Sequence, residues 1–197
     1  MDVYIPFPEI VPVMVIRKAT LFPKTLFPLH IFEPRFRKML EYALENDRMF
    51  ALAMPDDSDE EIIRPVATIG LIRASVTNPD GTSNLILHGI CRACFDSWIQ
   101  LSPFRIAKVL PFGDVIHESD SARSERRAQL LQVLEDCGLQ FPQSTASQID
   151  TVSDPDTIVD LAAANFLKSA GQRQTILEEE HPILRQHRLI EFLVSNR

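Results

Sequence analysis

The sequence predicts an α+β fold, in which a β-rich amino-terminal part with one embedded helix precedes a helical carboxyl-terminal part. Up to about Phe112, short apolar and β-branched runs alternate with prolines and turn residues, which is typical of strands. One stretch within that part has helical spacing, and from Ser119 onward most apolar residues do. We therefore expect two subdomains, a β-rich one over residues 1–117 and a helical one over residues 118–197.

The first elements are short extended pieces. Val11 to Ile16 is a β-branched run suited to a buried strand. Leu21-Phe22-Pro23 and Phe27-Pro28 then break the chain into shorter segments. Because proline cannot donate to a central ladder, we expect these segments at sheet edges or corners.

The stretch from Leu26 to Pro55 organises the amino-terminal part as a strand, a corner, an amphipathic helix and a second strand. Pro34 suits the first turn of that helix, where no N–H is needed. The apolar stripe of the helix falls at helical spacing on Phe36, Met39, Leu40 and Ala43. Asp47-Arg48 ends the helix, and Met49 to Met54 is the second strand.

Three further features complete the β-rich part. Residues 56–61 form an acidic run that we interpret as a solvated loop. Asn78-Pro79-Asp80-Gly81 is a turn that joins strands at Ile69–Val76 and Leu85–Ile90 into a hairpin. Phe104 to Val109 is the last predicted strand.

The helical part begins after Ser119. Ser121 and Ser124 are candidate N-caps of a helix that Gly138 terminates. Its buried stripe is predicted at Leu130, Leu131 and Leu134. Residues 141–153 are polar and aperiodic, which predicts a loop.

Two capped helices and a short one follow. Asp154-Pro155-Asp156 is a typical helix start, and Gly171 is expected to end that helix. Its buried side is predicted at Ile158, Leu161, Ala162 and Phe166. Gln172 to Glu180 is predicted as a short helix, and Pro182 opens the last one. The inner face of the last helix is predicted at Ile183, Ile190, Leu193 and Val194.

The segment LFPLHIFEPRFR, residues 26–37, resembles the signature of the LON substrate-binding domain. This domain is the amino-terminal domain of Lon-type proteases and also occurs in bacteria as a free-standing protein. The resemblance continues through residues 68–73, 85–92 and 154–193. It implies a PUA-like twisted β-barrel with one embedded helix, followed by a C-terminal helical bundle.

Composition and charge exclude several classes of protein. The net charge is −7, spread as 12 basic and 15 acidic side chains in residues 1–118 and 8 and 12 in residues 119–197. Neither part has the basic footprint of a nucleic-acid-binding protein. No apolar run approaches the ~20 residues of a membrane span, and residues 1–18 lack the basic leader of a signal peptide. An odd number of cysteines argues against a disulfide framework and favours a reducing cytoplasm.

Cys91 and Cys94 have CxxC spacing, but a structural zinc site needs four ligands and Cys137 is the one remaining cysteine. A redox dithiol normally begins a helix, whereas this motif continues a predicted strand. We therefore interpret the three cysteines as structural and expect no metal.

No motif for catalysis or cofactor binding stands out. None of the six glycines precedes a lysine, so there is no phosphate-binding loop, and neither HExxH nor GxSxG occurs. The Ser–Lys dyad that the resemblance places in a separate carboxyl-terminal domain of Lon proteases has no match here. We expect no enzymatic activity, no catalytic residues and no cofactor.

The histidines and one charged pair are interpreted as structural. The histidines, His30, His88, His117, His181 and His187, do not converge in sequence. Glu33 and Arg35 flank Pro34 and would either form a binding surface or support the helix start and pair locally; we favour the second interpretation.

The resemblance implies a non-catalytic module that binds unfolded or extended polypeptide segments, with a separate protease as a further candidate partner. We expect the binding surface at an unpaired edge near Phe22 and Phe27, or in a cleft between the two subdomains. The alternatives are an RNA-binding PUA-like protein, which the charge argues against, and an unrecognised hydrolase. No membrane partner is expected.

Overall fold

The computed structural model describes residues 7–114 and 116–196, and in them a mixed six-stranded sheet and six helices. The strands are β1 (Ile10–Val15), β2 (Leu26–Ile31), β3 (Met49–Ala53), β4 (Val66–Thr77), β5 (Ser83–Gln100) and β6 (Arg105–Pro111). The helices are α1 (Pro34–Glu45), α2 (Asp120–Asp136), α3 (Gln143–Thr151), α4 (Pro155–Phe166), α5 (Ala170–Glu178) and α6 (Pro182–Ser195). The α+β class is therefore confirmed.

The last strand in the order of the sheet, β6, pairs back with β5. The order is β2-β5-β4-β3-β1-β6, and β5 also pairs with β6. β1 and β3 are parallel, and every other pair is antiparallel. Among the described strands, each has at least two partners except β2, which pairs with β5 alone. The free side of β2 is therefore a sheet edge.

The described residues group into two compact units. We call residues 7–21 and Leu26–Phe112 the sheet unit, and Phe22–Thr25 with residues 113–196 the helical unit. All six strands and α1 belong to the sheet unit, and α2 to α6 belong to the helical unit.

The core of the sheet unit contains two apolar clusters. The first cluster contains the buried face of α1 and side chains from the strands around that helix. The largest fully buried residues of this cluster include Met14, Phe50 and Leu87. The predicted stripe of α1 is confirmed, since Met39, Leu40 and Ala43 are buried and Phe36 packs against them in part. The second cluster is made of smaller side chains of β1, β3, β4, β5 and β6.

The predicted β4–β5 hairpin is confirmed, with longer strands than expected. Gly81 adopts φ +78°, and its N–H donates to the carbonyl of Asn78 across 2.9 Å. A glycine is also required at position 70, because a Cβ there would lie 2.4 Å from Cγ of the fully buried Leu87.

In the helical unit, α4 packs against α2, α5 and α6. Its residues Ile158, Leu161 and Ala162 are buried as predicted, whereas Phe166 is only half-buried. A polar cluster connects the neighbouring helices: Arg126 on α2 donates to Glu118 (2.9 Å), to Asp156 at the start of α4 (3.2 Å) and to Gln186 on α6 (3.2 Å). Burial raises the pKa of Asp156, even though the charge of Arg126 opposes this.

Two predictions about the start of the helical unit are wrong. The N-cap of α2 is Ser119, whose Oγ accepts from the N–H of Ala122, and neither Ser121 nor Ser124 caps the helix. Residues 143–151 form α3 rather than a loop. This helix buries a single side chain, Ile149, so its sequence shows almost no periodicity. Hydrogen bonds rather than apolar burial stabilise its last turn, since Arg127 donates to the carbonyls of Ile149 and Val152.

Two helix details also differ from prediction. α4 begins as predicted, with Asp154 accepting from the N–H of Thr157, but it ends at Phe166, and Gly171 lies inside α5. Ser169 caps α5, so a capping serine rather than a glycine separates the two helices. Of the predicted inner face of α6, Leu193 is buried, Ile183 and Ile190 are half-buried, and Val194 is 50% exposed. Leu189, which was not predicted, is also buried.

Candidate functional site

The free edge of β2 is a strand surface on which exposed and partly buried residues alternate. β2 runs antiparallel to β5, from Leu26 opposite His88 to Ile31 opposite Ser83. Leu26 is 62% exposed, and Phe32, which follows the strand, is 58% exposed. Pro28 lies in this edge strand, as predicted.

A shallow groove of about 430 Å³ lies along the outward-facing side of β2 and the adjoining parts of β5 and β4. We call it the outer groove; its lining is Pro28, Leu29, His30, Ala74, Val76, Asn84, Leu85 and Ile86. Among the described residues, no Asp, Glu, Lys or Arg lines it. Val76 is 64% exposed, and the Nδ1–H of His30 donates to Oδ1 of Asn84 across 2.8 Å.

A second, deeper cavity of about 610 Å³, the inner cavity, lies next to the other side of β2. It is lined by residues 14–17, 29–33, 35, 36, 55, 60, 61 and 105. Two of these, Met14 and Ile31, also belong to the apolar core cluster. The inner cavity therefore combines an apolar floor with a charged rim, whereas the outer groove is uncharged.

The charges of the inner cavity are largely paired. Nε and Nη2 of Arg35 each lie 2.8 Å from Oε2 of Glu33, and the guanidinium also lies 4.6 Å from the ring centroid of Phe36. Arg17 pairs with Glu60 of the acidic loop. The local pairing of Arg35 is confirmed, but the Glu33 side chain makes no capping hydrogen bond to α1.

The two aromatic residues predicted near a binding edge, Phe22 and Phe27, differ in solvent exposure. Phe22 is fully buried and belongs to the helical unit, so a peptide cannot contact it without rearrangement. Phe27 lies on β2 and is half-buried against the core cluster. The structure thus favours the Phe27 edge of the two; the predicted cleft between subdomains stays a prediction.

The titratable candidates from the sequence are dispersed over the fold. His30 lies on β2 and His88 on β5, where burial first and the charge of Arg73 second lower the pKa of His88. His117 precedes α2, His181 precedes α6 and His187 is within it. No hydrogen-bonded pair of these histidines occurs among the described residues.

Cys91 and Cys94 both lie on β5. Cys91 packs against the second apolar cluster on β5, and burial raises the pKa of its thiol, which disfavours a thiolate. The Sγ of Cys94 lies 3.7 Å from the carbonyl oxygen of Leu110. Within residues 7–114 and 116–196, no three His, Cys, Asp or Glu side chains cluster as metal ligands would.

None of the helices described is both long enough and apolar enough to cross a bilayer.

Comparison with known proteins identifies the family. The family model of the ATP-dependent protease La (LON) substrate-binding domain matches residues 10–195. The chain therefore belongs to the LON substrate-binding domain family, which confirms the resemblance carried by residues 26–37.

Its curated relatives are Lon proteases. The chain is 26% identical to a Lon protease of Trichlorobacter lovleyi over 90% of its own length, and 28% identical to one of Desulfovibrio desulfuricans over 89%. The aligned region spans 23% and 21% of those two proteins, so the chain corresponds to less than a quarter of its relatives.

Two solved structures share the fold. The N-terminal domain of a Mycobacterium avium complex Lon protease matches with a TM-score of 0.75 at 14% identity, covering 95% of this chain and all of that one. A Lon N-terminal domain protein from Xanthomonas campestris matches with a TM-score of 0.68 at 18% identity, covering 93% and 98%.

Proposed function

We propose that this chain is a non-catalytic module that binds unfolded or extended polypeptide segments, as the substrate-binding domain of a Lon protease would. The family match over residues 10–195 is the observation that carries the proposal. The apolar, partly exposed surface at β2 supports it, because contiguous exposed apolar surface on a folded domain is typical of interaction sites.

The proposal includes the architecture and partners expected from the resemblance. Residues 1–117 would be a PUA-like barrel, which the return of the strand pairing to β5 supports, and residues 118–197 a helical bundle. The sequence of this chain has no phosphate-binding loop and no match to the Ser–Lys protease domain. From the family resemblance we also propose that the module acts in the cytoplasm without catalysis of its own and passes bound segments to a separate protease.

Fluorescence anisotropy tests this function directly. The purified 197-residue protein is titrated into a labelled, permanently unfolded polypeptide, and in parallel into a labelled single-stranded RNA, each at low and moderate salt. We expect saturable polypeptide binding that changes little with salt, because apolar contacts dominate it, and no RNA binding.

The opposite pattern would refute the proposal. RNA binding that falls steeply with salt, without polypeptide binding, would identify a nucleic-acid-binding protein instead. A folded protein of the same size serves as the control ligand, since a module for unfolded segments should not retain it.

A further inference from the structure

We propose that the polypeptide binds as an added β-strand along the free edge of β2, and that the preferred segment alternates apolar with charged or polar residues. This inference rests on the proposed function and deepens it by naming the conformation and the side-chain pattern of the bound segment. Three features of the edge support it: the backbone groups, the outer groove and the inner cavity.

The backbone of β2 offers unpaired groups to a partner strand. In an antiparallel ladder, residues alternate between pairs that exchange hydrogen bonds and pairs that do not. Pro28, opposite Ile86, has no N–H and must occupy a pair of the second kind. Leu26 and His30, two positions away on either side, therefore also direct their N–H and C=O groups away from β5. These groups lie on the free edge, where an extended backbone is able to pair with them.

Pro28 also limits what the edge accepts. The free edge has N–H donors at Leu26 and His30 but not between them, so a long continuous ladder is disfavoured. A short segment that pairs on either side of the gap is favoured. A helical ligand is not suited to this edge, because its backbone donors and acceptors are already paired within the helix.

The outer groove selects uncharged side chains. In an added strand, every second side chain points to the same side of the sheet as Pro28 and His30. The groove on that side has no charged lining residue, and Val76 and Ile86 present apolar surface in it. A charged side chain there would lose water without gaining a partner, whereas an apolar one would cover exposed apolar surface.

The inner cavity accepts the other half of the side chains. Those side chains point to the side of Phe27, Leu29 and Ile31, where the cavity has both acidic and basic groups on its rim. The ion pairs Arg35–Glu33 and Arg17–Glu60 occupy part of this rim. Arg105 and Glu61 also line the cavity, and neither forms an ion pair within the described part of the chain. These two groups therefore offer partners to charged or polar ligand side chains of either sign. The two sides together predict a period-two pattern in the ligand.

Two labelled peptides of identical composition test the pattern. One alternates valine with lysine and glutamate, and the other carries the same residues in an apolar block followed by a charged block. Anisotropy titrations with the full chain should show that the alternating peptide binds about tenfold or more tightly, because it alone satisfies both sides of the edge.

Backbone N-methylation of the alternating peptide tests strand addition. Methyl groups on alternate amides remove the donors on one edge of the peptide and leave those on the other edge intact. Strand addition predicts that one of the two alternate methylation series abolishes binding while the other retains it. A ligand held only by side chains would respond equally to both series.

A matched pair of protein variants locates the groove. Val76→Glu places a charge in the outer groove, and Ile99→Glu places one at a β-branched residue of β5 that is also exposed (55%) and does not line the groove. Both should retain the wild-type circular dichroism spectrum and thermal midpoint. Val76→Glu should weaken binding of the alternating peptide about tenfold, and Ile99→Glu should leave that affinity unchanged.

The outcomes separate this inference from the proposed function. Binding of an unfolded polypeptide with no preference between the alternating and block peptides, equal effects of the two methylation series, or equal affinities of the two variants would overturn strand addition but leave polypeptide binding intact. Loss of binding to every polypeptide would overturn the proposed function as well.

Discussion

The sheet unit and the helical unit distribute apolar and polar side chains in opposite ways. Of the twelve large hydrophobic residues that the described structure leaves exposed, ten lie in the sheet unit and two, Leu184 and Val194, in the helical unit. Exposed apolar side chains lower the solubility of a folded protein and do not add to its stability. Their concentration in the unit that contains β2 is therefore consistent with an interaction surface there.

Buried polar groups show the complementary difference. In the sheet unit most of the buried polar side chains are small hydroxyls, with Arg92 the exception; in the helical unit they include Asp160, Gln174, Arg185 and Gln186. Buried polar groups of this size must be hydrogen-bonded, and together they fix one arrangement of the helices. The sheet unit is therefore stabilised mainly by apolar packing, and the helical unit depends more on polar networks and caps.

The largest expected effect is on the apolar core of the sheet unit. Phe50→Ala removes a fully buried ring and should lower the free energy of unfolding by about 3–5 kcal/mol. The fluorescence of Trp98, the single tryptophan and a residue of the sheet unit, reports this in urea denaturation. Phe32→Ala is the matched control, because Phe32 is 58% exposed and should cost less than about 0.5 kcal/mol. Equal effects of the two substitutions would contradict an apolar-packed sheet unit.

The next effect concerns the polar cluster of the helical unit. Arg126→Ala leaves Glu118, Asp156 and Gln186 without their shared donor and should lower the unfolding free energy by about 3 kcal/mol. The loss should appear in the far-ultraviolet circular dichroism of the helices.

Arg123→Ala is the control for Arg126→Ala. The Arg123 side chain is 46% exposed and contacts Asp154 at 3.4 Å, so its loss should cost less than about 1 kcal/mol. If both substitutions cost the same small amount, the helical unit does not depend on its polar cluster.

A smaller effect distinguishes the observed cap of α2 from the one the sequence suggested. Ser119→Ala removes the acceptor of the Ala122 N–H and should cost about 1 kcal/mol. Ser121→Ala removes a side-chain hydrogen bond to Glu125 on the helix surface and should cost a few tenths of a kcal/mol, about the value of an exposed helical pair. The difference is measured by chemical denaturation, and a reversed order would show that the helix begins later in solution.

The smallest effect depends on pH. Burial opposes ionisation of Asp154, but hydrogen bonds from Thr157 and the charge of Lys24 outweigh it, so the pKa of Asp154 is lowered on folding. A lowered pKa contributes stability above the unfolded value of 3.8 that disappears as the pH falls. Asp154→Asn retains a capping oxygen but no charge. Wild type should therefore exceed Asp154→Asn in stability near neutral pH, and the gap should narrow as the pH falls below 3.8 and through the lower folded-state pKa. A gap that is independent of pH would show that the charge contributes nothing.

The sequence predicted the parts of the fold that have a local pattern, such as helical spacing of apolar residues, turn residues or a helix start. The stripe of α1, the turn at residues 78–81 and the start of α4 all have local patterns that the structure confirms. α3 was missed because it buries one side chain and is held by Arg127, a contact 22 residues away that no local pattern contains. The cap of α2 was misplaced because three serines within six residues fit the same rule.

The candidate site was predicted in part. An edge strand near Phe27 followed from the prolines, and the family followed from residues 26–37. The outer groove could not be predicted from the sequence, because it forms only when β4, β5 and β2 pair in register. This pairing brings Val76 and Ile86 next to Pro28. Leu85, Ile86 and Leu87 are all apolar, so the sequence alone does not show that Ile86 is the less buried of the three.

Hydrogen–deuterium exchange with a saturating unfolded polypeptide tests most directly whether the sheet unit contains the binding surface. We predict that peptic fragments covering β2 and the residues 74–77 and 84–86 become protected, while fragments from α2 to α6 exchange as in the free protein. Protection confined to the helical unit, with β2 unchanged, would contradict the account.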